Sequence, residues 1–430
     1  MDLNQLWMIM WALFVVWYAF IALEHHFRIN KSWTALLLWV ILWIIVDVFH
    51  GFSPDIGLAL NHETQEIFGI VVFLLAAMTL VEILVHYHFF DWIQQKITEK
   101  KISQVQLFWL LWIMTFVFSA FLDNLTTTLI MIQIGRKIYH HKGNFLIYVA
   151  NVVIAANAGG AASPIGDVTT IMLWIANKFN AVQVLSIGIL PALATWLIPQ
   201  FLMGRKIKYH EEVEKQHELK ATEKVNMKWY RPIIIVAIVS FTIPVFANLI
   251  WLPPFLGLLT GVGILWILID LKAKNGDEHH HEWRITNIIQ KTDITTLKFF
   301  IWILLAVAAL SEVWALTALN SAIFTADPSM WRLVFGNTVL WFLSSILDNV
   351  PLVAASIKMF GATTPANVWV LLALTAGTGW SMLVIWSAAW VAAMGQVKEL
   401  TFSYYLKKAA FPALLWFLWG IGVWMLMNMM

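Results

Sequence analysis

Apolar residues occur along the chain in long uninterrupted runs and not in the one-sided stripes of a soluble helix. Runs such as 6–23, 33–49 and 67–85 recur from end to end. Each is about long enough to cross a 30 Å hydrocarbon core as a helix, whereas a soluble core of this size would show amphipathic helices. The pattern predicts an all-α polytopic membrane protein with about 10 transmembrane helices.

Two apolar stretches are interrupted by the same polar pair. "SAFLDNLTTTLIMI" at 119–132 and "SSILDNVPLVAASI" at 344–357 share Ser, Asp and Asn at a constant offset of 225 residues. The surrounding stretches, 105–138 and 331–361, are too short for two full spans but long enough for re-entrant helical hairpins with tips at mid-membrane. The sequence therefore predicts two related re-entrant hairpins.

Each hairpin is followed by a long apolar segment that is interrupted near its middle. The segment 145–177 is interrupted by "NAGGAASPIGD" at 157–167, and the segment 366–396 by "AGTGWS". Glycine and proline end helices, and backbone freed at membrane depth is tolerated only where protein buries it or a wet cavity borders it. We expect two discontinuous helices, the second broken at 376–381, whose breaks mark a site.

The basic residues predict an orientation in the membrane. If the N-terminus lies outside, all of the 27 lysines and arginines except Lys178, Arg332 and Lys358 fall inside or near the inner face, as the positive-inside rule expects. The first hairpin then enters from the cytoplasm and the second from outside. Opposite entry indicates an inverted repeat, whose substrate site lies at the midplane. Both termini are predicted to lie outside.

The repeat divides the chain into transport units and scaffold helices. The N-terminus is acidic and has no small-residue cleavage site, so we expect a retained helix in a bacterial inner membrane and not a signal peptide. The predicted parts are scaffold helices 1–104, a first transport unit 105–203, a cytoplasmic linker 204–231, second scaffold helices 232–330 and a second transport unit 331–430.

Composition narrows the classes of function. Of 430 residues, 60% are hydrophobic and 12% charged, against roughly 25% charged in an average soluble domain. A net charge of +2 indicates no nucleic-acid partner. The chain has no cysteine, which excludes disulfides, thiol catalysis and cysteine metal sites. No pattern signals a cofactor, so the expected partners are small ions and the lipid bilayer.

Asp123 and Asp167 are the strongest functional candidates, because ionisable residues at bilayer depth are costly and usually functional. The polar residues around them offer oxygen and neither sulfur nor imidazole, which suits a hard cation such as Na⁺. A carboxyl group out of water also has a raised pKa, so it can hold a proton when no cation is bound. One group that binds either Na⁺ or H⁺, exposed to the two sides in turn, produces exchange. The candidate ion-binding residues are Asp123, Asn124, Thr126, Thr127, Asn157, Ser163, Asp167, Thr169, Thr170, Asp348, Asn349, Thr378 and Ser381, with Asp123 and Asp167 as the Na⁺-binding and proton-coupling carboxylates.

Capping is the alternative reading of these polar residues, because Asp, Asn, Ser and Thr all cap helices well. It stays open for the serine and asparagine of each tip. Asp348 has fewer polar neighbours than Asp123, and it is expected to be mainly structural or paired with Lys358. Proton-pathway roles stay open for Glu24, Asp47, Glu82 and Glu312, most of which lie near predicted helix ends, where a solvated group is the ordinary interpretation.

Five stretches resemble a known family, the NhaD-type sodium/proton antiporters of the ion transporter superfamily. They are "IALEH" (21–25), "FLDNLTTT" (121–128), "ANAGGAASPIGDVTTIMLW" (156–174), "ILDNVPLVAA" (346–355) and "AGTGWSMLVIWSAAWVAAMG" (376–395). The resemblance implies a homodimer with an elevator-like movement that exports Na⁺ or Li⁺ in exchange for H⁺ at alkaline pH. It implies functional roles for Asp123, Asn124, Thr127, Asn157, Asp167, Thr169, Thr170, Asp348 and Ser381.

The chain departs from the family pattern near both breaks. Trp380, Trp386 and Trp390 occupy positions that are usually glycine, and Ala162 stands where tryptophan is common. An indole in place of a hydrogen restricts close approach of neighbouring backbone.

Two other functions compete with cation exchange. An anion carrier of the same superfamily, for dicarboxylate, citrate or a metalloid oxyanion, would be expected to show basic or glycine-rich groups at both tips, whereas both tips carry aspartate. An intramembrane aspartyl protease also needs paired aspartates, but "IGD" at 165–167 lacks the first glycine of G-x-G-D. The sequence favours a transporter over an enzyme.

Overall fold

The chain folds into a bundle of helices. The computed structural model describes residues 3–22, 27, 29–99, 103–139, 141–207, 227, 230–274, 285–324, 328–344, 348–360, 364–383 and 388–429. No strand occurs within these ranges. Eight of the helices there are long and apolar enough to cross a membrane, and shorter apolar helices accompany them. The protein is therefore an all-α polytopic membrane protein, as predicted.

Twenty helices are used in the description below. A π-helical turn precedes α9 at Val184–Gly188 and another precedes α20 at Leu406–Ala410. In chain order, the helices are α1 Leu3–Ala22, α2 Lys31–Phe49, α3 Pro54–His86, α4 Phe89–Thr98, α5 Gln104–Ser119, α6 Asn124–Ile138, α7 Lys142–Ala161, α8 Val168–Ile175, α9 Ile189–Gly204, α10 Arg231–Ser240, α11 Ile243–Leu249, α12 Pro254–Lys274, α13 Ile285–Ile289, α14 Ile294–Glu312, α15 Ala315–Phe324, α16 Met330–Ser344, α17 Asn349–Met359, α18 Ala366–Leu383, α19 Ala388–Gln396 and α20 Phe411–Asn428.

The two Asp-Asn stretches lie where short helices meet. In the first, α5 has 16 residues and α6 has 15, so each is about 24 Å long or less and shorter than a 30 Å hydrocarbon core. In the second, α16 has 15 residues and α17 has 11. These lengths fit helical hairpins; the side from which each enters the membrane stays a prediction.

The first discontinuous helix is present, and the second differs from the prediction. Helices α7 and α8 are separated by 162–167, so the break starts later than the predicted 157. In the second copy, α18 is continuous across 376–381, and the predicted position of that break is wrong. The helix resumes at Ala388, and 384–387 lie outside the described residues.

A close helix contact explains why the glycines of 376–381 do not break α18. A Cβ atom at Gly377 would lie 3.1 Å from the Cβ of Ala161 and 3.2 Å from Oδ2 of Asp167. The missing side chain therefore lets α18 approach the end of α7. The glycine serves packing at this position and not helix termination.

The sequence offset of 225 residues extends over most of the fold. In six pairs of helices, the second-half helix begins within three residues of the position that lies 225 residues after the start of the first-half helix. These pairs are α2/α12, α4/α15, α5/α16, α6/α17, α7/α18 and α9/α20. A residue with positive φ also occurs at the equivalent place in both halves: His88 (φ 56°) precedes α4, and Trp314 (φ 61°) precedes α15. The internal duplication is thus structural, well beyond the two tips.

Helix packing follows the same duplication. The pair α2 and α14 has its counterpart in α12 and α3, and the pair α6 and α19 has its counterpart in α17 and α8. The equivalent helices α7 and α18 also pack on each other, as do α9 and α20. The second helix of each hairpin therefore lies against the short half-helix of the other copy, so polar residues of both copies are brought together.

Small residues let the first hairpin and α7 approach closely. A Cβ at Gly159 would lie 2.2 Å from the carbonyl oxygen of Phe116, and one at Gly166 would lie 2.3 Å from that of Ser119. Only glycine fits where backbone approaches backbone this closely. Helix α7 is buried along most of its length, which places the polar residues of its last turns deep in the protein.

Candidate functional site

Three aspartates begin three of the short helices. Asp123, Asp167 and Asp348 precede α6, α8 and α17, and each carboxylate accepts a backbone N–H from the first turn of its helix. Each therefore satisfies an otherwise unpaired donor and places negative charge at the positive end of a helix dipole. The three aspartates are thus helix caps, whereas Asn124 and Asn349 are the first helical residues.

Asp167 lies at the centre of the buried polar cluster. Its Oδ1 accepts from the Thr169 amide at 3.2 Å, and its Oδ2 accepts from Nδ2 of Asn124 at 3.3 Å. The same Nδ2 donates to Oδ1 of Asn157 at 3.2 Å. Asp167, Asn124 and Asn157 are all buried. The first hairpin, α7 and α8 therefore meet at one carboxylate.

Asp123 is held by its own helix. Its Oδ1 accepts from the Thr126 amide at 2.8 Å, and its Oδ2 accepts from the Thr126 hydroxyl at 2.5 Å. The side chain is half-buried. Asp123 and Asp348 both lie near enough to Asp167 to act on its carboxylate electrostatically. The two sequence copies therefore contribute negative charge to one region.

Among the described residues of this region, three buried polar groups have no hydrogen-bond partner. They are the hydroxyl of Thr127, one turn into α6, the hydroxyl of Thr169 in the first turn of α8, and Nδ2 of Asn349 at the start of α17. Thr127 and Asn349 are each 1% exposed, and Thr169 is 0% exposed. Buried polar groups are normally paired, so the two hydroxyl oxygens mark places for a cation or water, and the Asn349 amide marks a place for an acceptor such as water.

Several predicted site residues form hydrogen bonds to backbone instead. The hydroxyl of Ser163 donates to the carbonyl of Ala120 and accepts from the amide of Gly166 at 3.0 Å, which ties the 162–167 loop to the hairpin tip. The hydroxyls of Thr170 and Thr378 donate to carbonyls of the same chain segment, at 2.7 and 2.5 Å. These three residues shape the site, and their hydroxyl protons already have acceptors.

The second hairpin tip lies against the N-terminal helix. The hydroxyl of Tyr18 accepts a hydrogen bond from the amide of Asp348. Lys31 acts electrostatically on the Asp348 carboxylate. The predicted alternative that Lys358 pairs with Asp348 is wrong, because Lys358 lies at the other end of α17 and forms ion pairs with glutamates of α3.

Two contributors to the site were not predicted from the sequence. Gly377 borders Oδ2 of Asp167, although its motif was interpreted as a helix break. Tyr18 touches the second tip, and the only sequence signal for it is one hydroxyl in an otherwise apolar run. Neither signal is specific without the fold.

The structure describes some of the residues that depart from the family pattern. Trp390 is fully buried, and its ring lies 4.5 Å from that of Tyr405 in an edge-to-face contact, so this indole fills the core. The side chains of Trp380, Trp386 and Ser381 lie outside the described part of the chain, as does Glu24. Glu82 and Glu312 are half-buried near helix ends.

The donor set of the site fits a hard cation. Carboxylate, amide and hydroxyl oxygens are the ligands that such ions prefer. No group of three or more His, Asp or Glu side chains that could hold a metal ion occurs within the described ranges. The central carboxylate of this oxygen-rich set is that of Asp167.

Comparison with known proteins identifies the family. The family model described as "CitMHS: Citrate transporter" matches residues 12–395. The chain is 35% identical over 402 residues to "Sodium/proton antiporter 1" of Arabidopsis thaliana, covering 93% of this chain and 69% of that protein. It is 32% identical over 404 residues to "Sodium/proton antiporter 2" of the same plant, covering 93% and 94%.

A bacterial relative shows the same extent of similarity. The "Na(+)/H(+) antiporter NhaD" of Halomonas elongata is 30% identical over 431 residues, covering 94% of this chain and 85% of that protein. The similarity spans both hairpins and both halves of the repeat. The protein thus belongs to the citrate transporter family CitMHS, as an NhaD-type antiporter, and is a transporter and not an enzyme.

Proposed function

We propose that the protein exchanges cytoplasmic Na⁺, or Li⁺, for external H⁺, with competition of the two ions at Asp167 as the central step. The observation that carries the proposal is the buried Asp167 carboxylate, which Asn124 contacts and the charges of Asp123 and Asp348 surround. The relatives' printed names, sodium/proton antiporters, support the same activity.

Transport of citrate or another anion fits this site less well. Helix N-termini are ready-made anion sites, and three of them, those of α6, α8 and α17, meet here. Each is already capped by the carboxylate of an aspartate. The carboxylates of the three aspartates would repel the carboxylate of an anionic substrate, whereas they would attract a cation. This difference supports cation exchange.

In the proposed cycle, protonation and cation binding exclude each other. A proton on Asp167 removes the charge that attracts Na⁺, and bound Na⁺ disfavours the proton. Thr127, whose hydroxyl has no partner, is a ligand to the cation, and Asn124 and Asn157 position the carboxylate. An elevator-like movement of the transport units 105–203 and 331–430 then exposes the site to the two faces in turn.

We further propose a homodimer in the bacterial inner membrane with both termini outside. The basic residues of the chain support this orientation through the positive-inside rule. Multiple apolar helices and bacterial relatives support the location.

Proton movement in everted vesicles tests the exchange. Respiration acidifies the vesicle interior, and adding Na⁺ should collapse this pH gradient in vesicles that carry the wild-type chain. Asp167→Asn should abolish the collapse because it removes the titrating group. Asp123→Asn should do so as well; because Asn caps helices as well as Asp, α6 should stay intact in that variant.

The matched control is Asp91→Asn. Asp91 is an exposed aspartate of α4, so its replacement should leave the response unchanged. A normal Na⁺ response in both Asp167→Asn and Asp123→Asn would overturn the proposed role of these carboxylates. Repeating the assay with Li⁺ and with citrate separates cation exchange from anion transport.

A further inference from the structure

A large cavity lies at the far ends of the helices that build the site. Its volume is about 660 Å³, and residues of α3, α8, α14 and α17 border it. The site lies at the N-terminal ends of α8 and α17, whereas the cavity borders their C-terminal turns. It is therefore about 12 Å away along the 8 residues of α8, on the outer side in the proposed orientation.

Three charged side chains form a cluster at the wall of this cavity, which we call the charge clasp: Glu63, Glu66 and Lys358. Nζ of Lys358 lies 2.7 Å from Oε1 of Glu63 and 3.0 Å from Oε2 of Glu66. The exposed fractions of the Lys358 and Glu63 side chains are 23% and 10%. The Lys358–Glu63 pair is thus shielded from water, where removing one partner is far more costly than at the surface.

The clasp joins the second hairpin to a helix outside it. Lys358 belongs to α17, which begins at Asn349 directly after Asp348, and both glutamates belong to α3. Helix α14 also packs along α17, whereas the equivalent pair, α3 and α6, makes much weaker contact. In this conformation the second hairpin is therefore fastened to α3 by the clasp and to α14 by packing, whereas the first hairpin has no comparable packing on α3.

The first copy of the repeat forms its hairpin without such a lysine. At the offset of 225 residues, Gln133 stands in α6 where Lys358 stands in α17, and Gln133 is exposed. Both copies nevertheless form the same type of helix at this point. The charge at Lys358 is therefore not required to build the hairpin, which points to a role in what the hairpin does.

We infer that Lys358 is a positioning residue for ion exchange, because its ion pairs with Glu63 and Glu66 hold the second hairpin against α3 and must open in every transport cycle. The inference rests on the proposed function, since opening is required only if the hairpin moves relative to α3. The clasp is closed in one of the two access states and open in the other. Weakening the clasp shifts the balance between those states and changes the apparent Na⁺ affinity on the two sides in opposite directions.

Reversible crosslinking tests whether the clasp must open. The natural chain has no cysteine, so the double variant Glu63→Cys/Lys358→Cys carries the only two thiols. A short bis-methanethiosulfonate reagent, which reductant cleaves, joins them in proteoliposomes. We expect at least about a tenfold loss of Na⁺-driven proton movement on crosslinking and recovery on reduction. Full exchange by the crosslinked protein would overturn the inference.

The control crosslink joins two helices that are both predicted to belong to the scaffold. The hydroxyl of Ser32 on α2 donates to the carbonyl of Thr295 on α14 at 2.9 Å. Ser32→Cys/Thr295→Cys, crosslinked with the same reagent, should keep its exchange rate. Loss of exchange in this control as well would mean that the reagent inhibits by itself or that any tether does, and the inference would fall.

Charge-neutral variants give an independent measurement that does not depend on the thiols. Glu63→Gln/Lys358→Met removes the shielded pair without leaving a lone buried charge. We expect its apparent KM for Na⁺ to change about fivefold on one side of the membrane and in the opposite direction on the other. Lys358→Arg, which keeps the charge, should stay near the wild-type values.

The exposed pair Lys137–Asp91 is the matched control for these variants. It joins the first hairpin to α4 at 3.5 Å, and its side chains are 54% and 48% exposed. Lys137→Met should leave both KM values unchanged because such pairs contribute little. Equal KM changes on both sides in the clasp variant would indicate a purely structural role and contradict the inference. Absence of any Na⁺ response in the wild-type chain would instead refute the proposed function.

Discussion

At the scale of single residues, the threonines of the first tip are not equivalent. The hydroxyl of Thr127 is buried without a partner, whereas that of Thr128 donates to the carbonyl of Asn124 at 2.8 Å. Thr127→Val therefore removes a group that stabilises nothing in this conformation. We expect a normally folded protein whose KM for Na⁺ rises about tenfold, which corresponds to roughly 1.4 kcal/mol of lost binding.

Thr128→Val is the control for this prediction. It has the same change of shape one residue away, but it removes a hydroxyl that is already paired with its own helix. Na⁺ titration of exchange in proteoliposomes, with thermal unfolding in detergent, measures both variants. A KM change as large in Thr128→Val as in Thr127→Val would contradict a ligand role for the Thr127 hydroxyl.

The same residues show how far sequence reasoning reaches at this scale. Depth in an apolar run was sufficient to select Asp123, Asp167 and their oxygen-bearing neighbours, because polar groups are costly there. It could not separate Thr126, whose hydroxyl donates to Asp123, from Thr127, whose hydroxyl has no partner, because threonine hydroxyls near a helix start can bond either the cap or the helix backbone. Rotamer and packing decide which hydroxyl remains free, and neither is visible in the sequence.

At the scale of helices, the contact between α18 and the end of α7 positions the central carboxylate. Gly377→Ala would place a methyl group 3.2 Å from Oδ2 of Asp167 and 3.1 Å from the Cβ of Ala161. Such overpacking typically costs about 1–3 kcal/mol. Because a small displacement at a site has large effects on its rate, we expect exchange to fall about tenfold or more.

Gly263→Ala is the control, because nothing lies within 4 Å of its added methyl group in α12. It should leave exchange unchanged and stabilise the helix by up to about 1 kcal/mol. Unfolding temperature and initial exchange rate separate the two effects. Gly377→Ala with a wild-type rate would show that α18 does not position Asp167.

Glycine also explains which helix boundaries could be predicted. The first break was predicted because Pro164 and Gly166 lie between α7 and α8, although its start was placed too early because Gly159 and Gly160 lie inside α7. The second was placed wrongly because Gly377 has the same sequence signal but a different cause, the close approach of α7. A lone sequence cannot distinguish a glycine that ends a helix from one that admits a neighbour.

At the scale of the whole molecule, the duplication is the strongest inference that the sequence permitted. Three matching residues in two tips gave the offset of 225, and equivalent helices then follow it across most of the fold. The sequence could not predict that each hairpin packs on the half-helix of the other copy. That arrangement depends on long-range packing, which no local pattern encodes.

Cysteine labelling tests the inverted orientation of the two copies, because the natural chain lacks cysteine and gives no background. Single cysteines at Ser103 and Lys137, the two ends of the first hairpin, should react with an impermeant maleimide only in everted vesicles. Cysteines at Ser329 and Thr364, around the second hairpin, should react only in right-side-out vesicles. Reaction of both pairs from the same side would refute the inversion.

A cysteine at Phe121, in the first tip, should resist the reagent from both sides if the hairpin stops at mid-membrane, whereas two full spans would expose it to the outside.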